Sequence, residues 1–251
     1  IHIVSRRQRQ MCIRDRSDKF GVSTKTAKEL IKKCTESKSI NLVGLTCHIG
    51  SQIMELKGFE DAAKQALELM IALDELKINL DFIDMGGGLG VSYVGEETFQ
   101  PSELIRCYET IFAGRNEKLI LEPGRSISAN AGIMLTKVEY EKDGFRITDA
   151  AMNDLLRPAL YNAHHDVWPL VESNKQTTEV NLVGPICETG DFLAKNINIS
   201  ASQDDLLAVK TVGAYGFVMS SNYNSRPRAA EVLVDNKKFY LIRKREDHSS
   251  L

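Results

Sequence analysis

Residues 80–90 read Leu-Asp-Phe-Ile-Asp-Met-Gly-Gly-Gly-Leu-Gly, an apolar run that passes directly into four glycines. The run predicts a short buried strand at 80–85 that ends in a tight loop. Glycines let a backbone approach an anion and turn several N–H groups toward it, so the loop is a candidate phosphate site. A plain strand-to-helix turn is the alternative. The dinucleotide fingerprint fits poorly, because Val91 stands where its third glycine is required.

The segments around this strand alternate between helix and strand. Apolar spacing predicts helices over 23–37 and 58–76 and from near Pro101, with further strands at 41–49 and 118–121. This order is typical of a parallel α/β sheet. Each strand ends in polar or glycine-rich residues, and (β/α)8 barrels carry their active sites at that end. Three strands cannot close such a barrel, so we expect either a small open sheet or further strands upstream.

After about residue 131 the pattern becomes strand-like. Alternating runs flank Asp143-Gly144, which is typical of a hairpin turn, and further strand-like runs occur at 179–183, 206–211 and 231–242. The expected fold class is therefore α/β plus all-β, a partial (β/α)8 barrel followed by a C-terminal β domain. The expected domain bounds are 17–130 and 131–251.

Composition excludes several classes of function. A formal charge of -2 predicts no broad electrostatic attraction to nucleic acid or anionic membranes, and no apolar run approaches the ~20 residues of a transmembrane helix. The five cysteines are scattered and lack CxxC spacing, which argues against disulfides or a metal site and favours a cytoplasmic protein. Residues 1–16 carry five arginines and resemble translated vector sequence, so we expect a non-native leader rather than a transit peptide or nucleic-acid arm.

Two motifs carry candidate chemistry at the other predicted strand ends. Glu122 in Glu-Pro-Gly-Arg could pair with a cationic ring nitrogen, and Arg125 could bind a phosphate or carboxylate; a local Glu–Arg pair is the alternative. His48 could lie flat on a planar cofactor with Ser51 near a phosphate oxygen, although a lone histidine is more often structural.

Residues 183–191 read Val-Gly-Pro-Ile-Cys-Glu-Thr-Gly-Asp, and their glycines and proline exclude a regular helix. They predict a loop that presents Cys187 and Glu188 at a strand end. A turn with a buried cysteine and a capping acid is the alternative. Arg157, Tyr161 and Tyr215 are weaker signals when taken alone.

Six motifs in order resemble the diaminopimelate decarboxylases, alanine-racemase-like enzymes that use pyridoxal 5'-phosphate. They are His-Ile-Gly-Ser-Gln at 48–52, Asp-Met-Gly-Gly-Gly-Leu-Gly at 84–90, Glu-Pro-Gly-Arg at 122–125, Arg-Pro-Ala-Leu-Tyr at 157–161, Gly-Pro-Ile-Cys-Glu-Thr-Gly-Asp at 184–191 and Ser-Ser-Asn-Tyr-Asn-Ser-Arg-Pro at 220–227. The resemblance covers roughly 17–246. Ornithine- and arginine-type relatives share the first three motifs, whereas the last two favour the diaminopimelate branch.

The resemblance implies roles for individual residues. The implied cofactor ligands are His48, Ser51, Gly86, Gly87, Gly88, Glu122, Gly124, Arg125 and Tyr215. The implied ligands of the two-headed substrate, meso-2,6-diaminopimelate, are Arg125, Arg157, Tyr161, Glu188 and Tyr215. Catalytic roles fall to Cys187, as proton donor, and to His48, which would stack on the cofactor ring. The Cys187 loop would reach the site of the partner subunit, which implies a homodimer.

One departure concerns the lysine that attaches the cofactor. The family forms its Schiff base through a lysine in a Tyr-Ala-x-Lys-Ala-like motif on the first barrel strand, and no such motif occurs here. The lysines of the first predicted helix are not candidates. We therefore expect the full-length parent to form L-lysine and this chain alone to be inactive. The alternatives are a related basic amino acid or polyamine decarboxylase and a non-catalytic regulatory homologue.

Overall fold

The computed structural model describes residues 21–171 and 176–250, so the expected leader at 1–16 lies outside the described residues. The chain divides into two compact units. One comprises the described residues up to Ser92 together with 97–126, and the other comprises 93–96 together with the described residues from Ile127 onward.

The first unit alternates helices and strands as the sequence predicts. Its elements are α1 (Thr24–Glu36), β1 (Gly44–Thr46), α2 (Leu56–Glu75), β2 (Phe82–Asp84), α3 (Pro101–Ile111) and β3 (Lys118–Ile120), and α4 (Arg125–Ser128) lies where the unit ends. The strands form a parallel sheet in the order β1-β2-β3. Thr46 pairs with Asp84 and Asp84 with Ile120, so all three strands end at one level. The segments that follow them therefore leave from the same edge.

Local sequence signals explain where the helices begin. The Ser23 hydroxyl accepts a hydrogen bond from the Thr26 N–H at 3.1 Å, which caps α1. Pro101 opens α3, and the Gln100 N–H donates to the Glu103 carboxylate at 2.6 Å. The core lies between α2, α3 and the sheet and includes Phe59, Met70, Ile83 and Tyr108. Burial of each such side chain contributes roughly 1.5–3 kcal/mol.

The second unit is built mainly of strands. Its elements are β4 (Met134–Lys142), β5 (Phe145–Thr148), α5 (Arg157–Tyr161), β6 (Val167–Pro169), β7 (Thr178–Val183), β8 (Phe192–Ile199), β9 (Leu206–Val209), β10 (Glu231–Asp235) and β11 (Lys238–Arg243). Six strands form one sheet in the order β6-β9-β4-β5-β7-β8, and β10 pairs with β11 in a separate hairpin. The β5–β7 pairing is parallel and the others are antiparallel.

The predicted strands of this unit are confirmed, with differences in detail. The hairpin turn at 143–144 joins β4 to β5, and Gly144 adopts φ +72° there. Strand β9 ends at Val209 rather than at residue 211, because Thr211 takes a left-handed conformation at φ +58°. The elements β6, β8 and α5 were not predicted. Within the described ranges, no helix combines the length and apolarity needed to cross a bilayer.

Candidate active site

Backbone hydrogen bonds join the three segments that follow the strands of the first unit. The Cys47 N–H donates to the Asp84 carbonyl at 2.7 Å, and the Met85 N–H donates to the Ile120 carbonyl at 3.0 Å. One residue further on, the Glu122 N–H donates to the Gly86 carbonyl at 2.8 Å. We call residues 47–52, 86–90 and 122–125 the strand-end rim.

The glycines of the rim are required by close packing. A Cβ at Gly86 would lie 2.5 Å from the Cys47 carbonyl oxygen, one at Gly87 would lie 2.2 Å from that of Glu122, and one at Gly88 would lie 2.3 Å from that of Gly50. Gly86 and Gly88 also adopt φ +68° and +103°. This packing accounts for the glycines as a tight turn, and their contact with a phosphate stays a prediction.

Hydrogen bonds within the rim fix the His48 ring and the glycine backbone together. The Gly87 N–H donates to His48 Nδ1 at 3.3 Å, and the Gly86 N–H donates to Asp84 Oδ1 at 2.8 Å. Because His48 Nδ1 accepts a bond, a neutral ring carries its proton on Nε2. The half-buried His48 ring is therefore held beside the glycines.

The remaining polar groups of the rim are a hydroxyl, a guanidinium and a carboxylate. Arg125 Nη2 donates to Ser51 Oγ at 3.2 Å, so these two predicted site residues do meet. Glu122 and Gly124 are exposed, and a Cβ at Gly124 would meet no atom within 4 Å. Ser51 and Arg125 can thus bind an anion, and the exposed Glu122 carboxylate can pair with a cationic ring nitrogen.

Gln52 is a rim residue that belongs to the motif at 48–52 but was assigned no individual role from sequence. Its side chain donates from Nε2 to the Val91 carbonyl at 2.6 Å and accepts from the Val91 N–H at 3.3 Å. These two bonds fasten the loop that carries Ser51 to the loop that follows the glycines. Gln52 also adopts a left-handed backbone conformation at φ +58°, which the sequence does not indicate.

In the second unit, the loop between β7 and β8 presents Cys187 and Glu188 as predicted. Both residues are exposed, so the alternative of a buried cysteine is wrong. The buried acid is Asp191, which accepts N–H bonds from Met152 at 2.6 Å and Ile186 at 2.8 Å. Burial raises the pKa of the Asp191 carboxyl, and these two bonds oppose the rise. Asp191 fixes the base of the loop.

The segment at 220–227 lies against this loop. The Tyr223 hydroxyl donates to Glu188 Oε2 at 3.3 Å, and that bond raises the tyrosine pKa. The segment is itself anchored, because Arg226 Nε donates to Asn153 Oδ1 at 2.9 Å and the Ser221 N–H donates to the Asn153 carbonyl at 2.9 Å. The motif at 220–227 therefore supports the loop that carries Cys187.

The other predicted residues of this unit differ in exposure. Arg157, at the start of α5, is 7% exposed, whereas Tyr161 and Tyr215 are 63% and 41% exposed. Tyr215 adopts φ +62°, a strained conformation for a non-glycine residue that often marks a functional site. The Arg157 guanidinium contacts His165 and Tyr93, two residues that the sequence analysis did not single out.

A parallel α/β unit with a polar strand-end rim and a β unit with a thiol-bearing loop place the chain in the fold class of a partial barrel followed by a sheet domain. Two family models match the chain. One is the pyridoxal binding domain of pyridoxal-dependent decarboxylases, over residues 2–129, and the other is their C-terminal sheet domain, over 70–213. The chain belongs to the pyridoxal-dependent decarboxylases, whose cofactor is pyridoxal 5'-phosphate.

Within this family the chain is similar to diaminopimelate decarboxylases. It is 46% identical to that of Vibrio cholerae over 94% of this chain and 58% of the relative, and 47% identical to that of Pseudomonas aeruginosa over 92% and 57%. The crystal structure of diaminopimelate decarboxylase from Helicobacter pylori in complex with L-lysine matches with a TM-score of 0.89 and 37% identity, over 94% of this chain and 60% of that one. The chain thus spans about 58% of the length of its curated relatives. The predicted fold class, a partial barrel followed by a C-terminal β domain, is confirmed.

Proposed function

We propose that the protein carrying this chain decarboxylates meso-2,6-diaminopimelate to L-lysine with pyridoxal 5'-phosphate. The observation that carries the proposal is the strand-end rim, whose hydroxyl, guanidinium, imidazole and carboxylate groups surround glycine backbone in a chain 46% identical to a diaminopimelate decarboxylase. The rim supports the cofactor, and the similarity supports the substrate.

The rim residues are chemically suited to bind a phosphorylated pyridine. Ser51 Oγ and Arg125 Nη2, which lie 3.2 Å apart, would hold the phosphate beside glycines that admit no side chain. The exposed Glu122 carboxylate would keep a proton on the ring nitrogen, and His48 would stack on the ring. The cofactor, when bound, supplies an electron sink for the pair of electrons left at Cα as carbon dioxide departs.

The second unit offers groups for a substrate with a carboxylate and an ammonium group at each end. Arg157 and Tyr161 would bind a substrate carboxylate, and Tyr215 would contact the substrate. Glu188 would bind the distal ammonium group. The Cys187 thiol would donate its proton to Cα as general acid.

We further propose that Cys187 and Glu188 serve the site of a second copy in a homodimer. Their exposure on a loop fixed at its base supports this role, because neither side chain is enclosed by its own unit. A reducing cytoplasmic setting would keep Cys187, one of four free thiols among the described residues, competent to carry a proton.

The lysine that attaches the cofactor is expected on a barrel strand whose motif this chain does not contain. The activity is therefore proposed for the protein in which that strand accompanies this chain. This chain by itself is predicted to be inactive.

The proposal is tested with full-length protein loaded with pyridoxal 5'-phosphate. We expect release of carbon dioxide and L-lysine from meso-diaminopimelate, and no comparable release from L-ornithine or L-arginine. Cys187→Ala should retain the visible absorbance of the bound cofactor and lower turnover roughly 100-fold or more, the usual contribution of a general acid.

Cys34→Ala, a half-buried thiol on α1, is the matched control and should leave turnover unchanged. Equal turnover of the Cys187→Ala variant and the wild type would remove this thiol from the mechanism. Preference for L-ornithine over meso-diaminopimelate would overturn the proposed substrate.

A further inference from the structure

Arg157, His165 and Tyr93 of the second unit form a buried cluster. Arg157 Nη1 lies 2.8 Å from His165 Nε2, and its guanidinium carbon lies 4.7 Å from the centre of the Tyr93 ring. The Tyr93 and His165 rings meet edge to face at 5.1 Å and 82°. Arg157 is 7% exposed, Tyr93 is 8% exposed and His165 is fully buried.

The hydrogen bonds of His165 fix its protonation state. Arginine stays protonated in proteins and only donates, so His165 Nε2 must accept the bond from Nη1. On the opposite side of the ring, His165 Nδ1 lies 2.9 Å from the Lys210 carbonyl, which can only accept. The proton therefore sits on Nδ1, and the imidazole is neutral.

A neutral acceptor at this place orients the arginine and adds no negative charge of its own. The guanidinium carries five N–H donors in one plane, so a bond at one nitrogen and a ring against its face set the directions of the others. A carboxylate at position 165 would hold the arginine equally firmly. It would also compete with an incoming carboxylate for the same positive charge.

We propose that His165 is a positioning residue that orients Arg157 for the substrate carboxylate retained in L-lysine. The inference rests on the proposed function. The retained carboxylate is the suitable partner, because an arginine bound to the departing one would stabilise the ground state and slow its loss. Tyr93 contributes the aromatic wall against which the guanidinium is held.

The test uses the full-length holoenzyme and His165→Leu, which removes the acceptor and keeps an apolar side chain. We expect the KM for meso-diaminopimelate and the inhibition constant of L-lysine each to rise roughly tenfold. Inhibition by cadaverine, which is L-lysine without its carboxylate, should change less than twofold. The exposed neighbour His164 supplies the control His164→Leu, which should leave all three constants unchanged.

Two further variants separate positioning from packing. His165→Gln offers a neutral oxygen acceptor and should restore KM and L-lysine inhibition to within about threefold of the wild type. In an Arg157→Ala background, His165→Leu should have no further effect on L-lysine inhibition, because the two residues act as one unit.

The inference is overturned if L-lysine inhibition is unchanged in His165→Leu, if cadaverine inhibition weakens equally, or if the effect persists fully in the Arg157→Ala background. Should His165→Leu not fold, loss of L-lysine binding in a folded His165→Gln would overturn it, and retention would support it. A wild-type holoenzyme without activity on meso-diaminopimelate would instead refute the proposed function, and this role with it.

Discussion

The strand-end rim of the first unit and the loop at 184–191 of the second unit are fixed in opposite ways. In the rim, each of the three consecutive glycines packs against a neighbouring carbonyl, and backbone hydrogen bonds join all three segments. In the loop, Asp191 holds the base, whereas Cys187 and Glu188 are exposed at the far end. Groups that would cradle a cofactor are thus set by rigid backbone. The Cys187 thiol, which would transfer a proton, lies at the exposed end of a loop whose base is held by Asp191.

Substitution in the rim should have the largest effect on stability. In Gly87→Ala the new Cβ would lie 2.2 Å from the Glu122 carbonyl oxygen, so backbone rather than a flexible side chain must move. We expect the free energy of unfolding, measured in urea, to fall by about 3 kcal/mol. In the loop, a Cβ at Gly190 would meet nothing within 4 Å, and Gly190→Ala should change stability by less than about 0.5 kcal/mol. Similar losses in both variants would refute the contrast.

Within the loop, the base should matter more than the tip. Asp191→Asn replaces one carboxylate oxygen by an amide nitrogen that faces a backbone N–H, and we expect the free energy of unfolding at neutral pH to fall by about 2 kcal/mol. Glu188→Gln, at the exposed end, is the matched control and should change stability by less than about 0.5 kcal/mol. A larger loss from Glu188→Gln would mean that the tip, and not the base, holds the loop.

The smallest expected effect is a pH dependence that arises from Asp191. Burial raises the pKa of this carboxyl above its ordinary value, so the folded state binds the proton more tightly than the unfolded chain. Its stabilising contribution is therefore complete below the ordinary pKa and is lost as the pH rises through the raised one. The stability advantage of the wild type over Asp191→Asn should shrink from acid to neutral pH in paired urea titrations. An advantage that grows with pH would show that the two N–H bonds outweigh burial.

Sequence alone predicted the parts of the fold that local chemistry sets. Ser23 and Pro101 mark helix starts because capping and a fixed φ act within one turn. The rim could be predicted because parallel strands end at a common edge, so polar groups that follow them must meet there. Strand lengths were overestimated: β1 covers Gly44–Thr46 rather than 41–49, and β2 covers Phe82–Asp84 rather than 80–85.

The missed features depend on contacts between distant residues. Strand β8 escaped prediction because Asn196, at φ +51°, interrupts its alternation. The five residues of α5 are too few to show a helical period. Nothing in the pair at 164–165 indicates that His165 is buried and His164 exposed, and no local signal connects Tyr93 to Arg157. The roles assigned to the individual site residues remain predictions.

The four residues at 93–96 belong to the second unit although both flanking segments belong to the first. The polypeptide therefore passes between the units three times rather than once. A protease cut or gene split after Ser126 would leave the downstream half without the Tyr93 ring that covers Arg157. For the same reason, a chimera of two relatives joined at a single crossover near residue 126 would combine the Arg157 of one parent with the Tyr93 of the other. An exchange of the whole sheet domain must carry this short insert along.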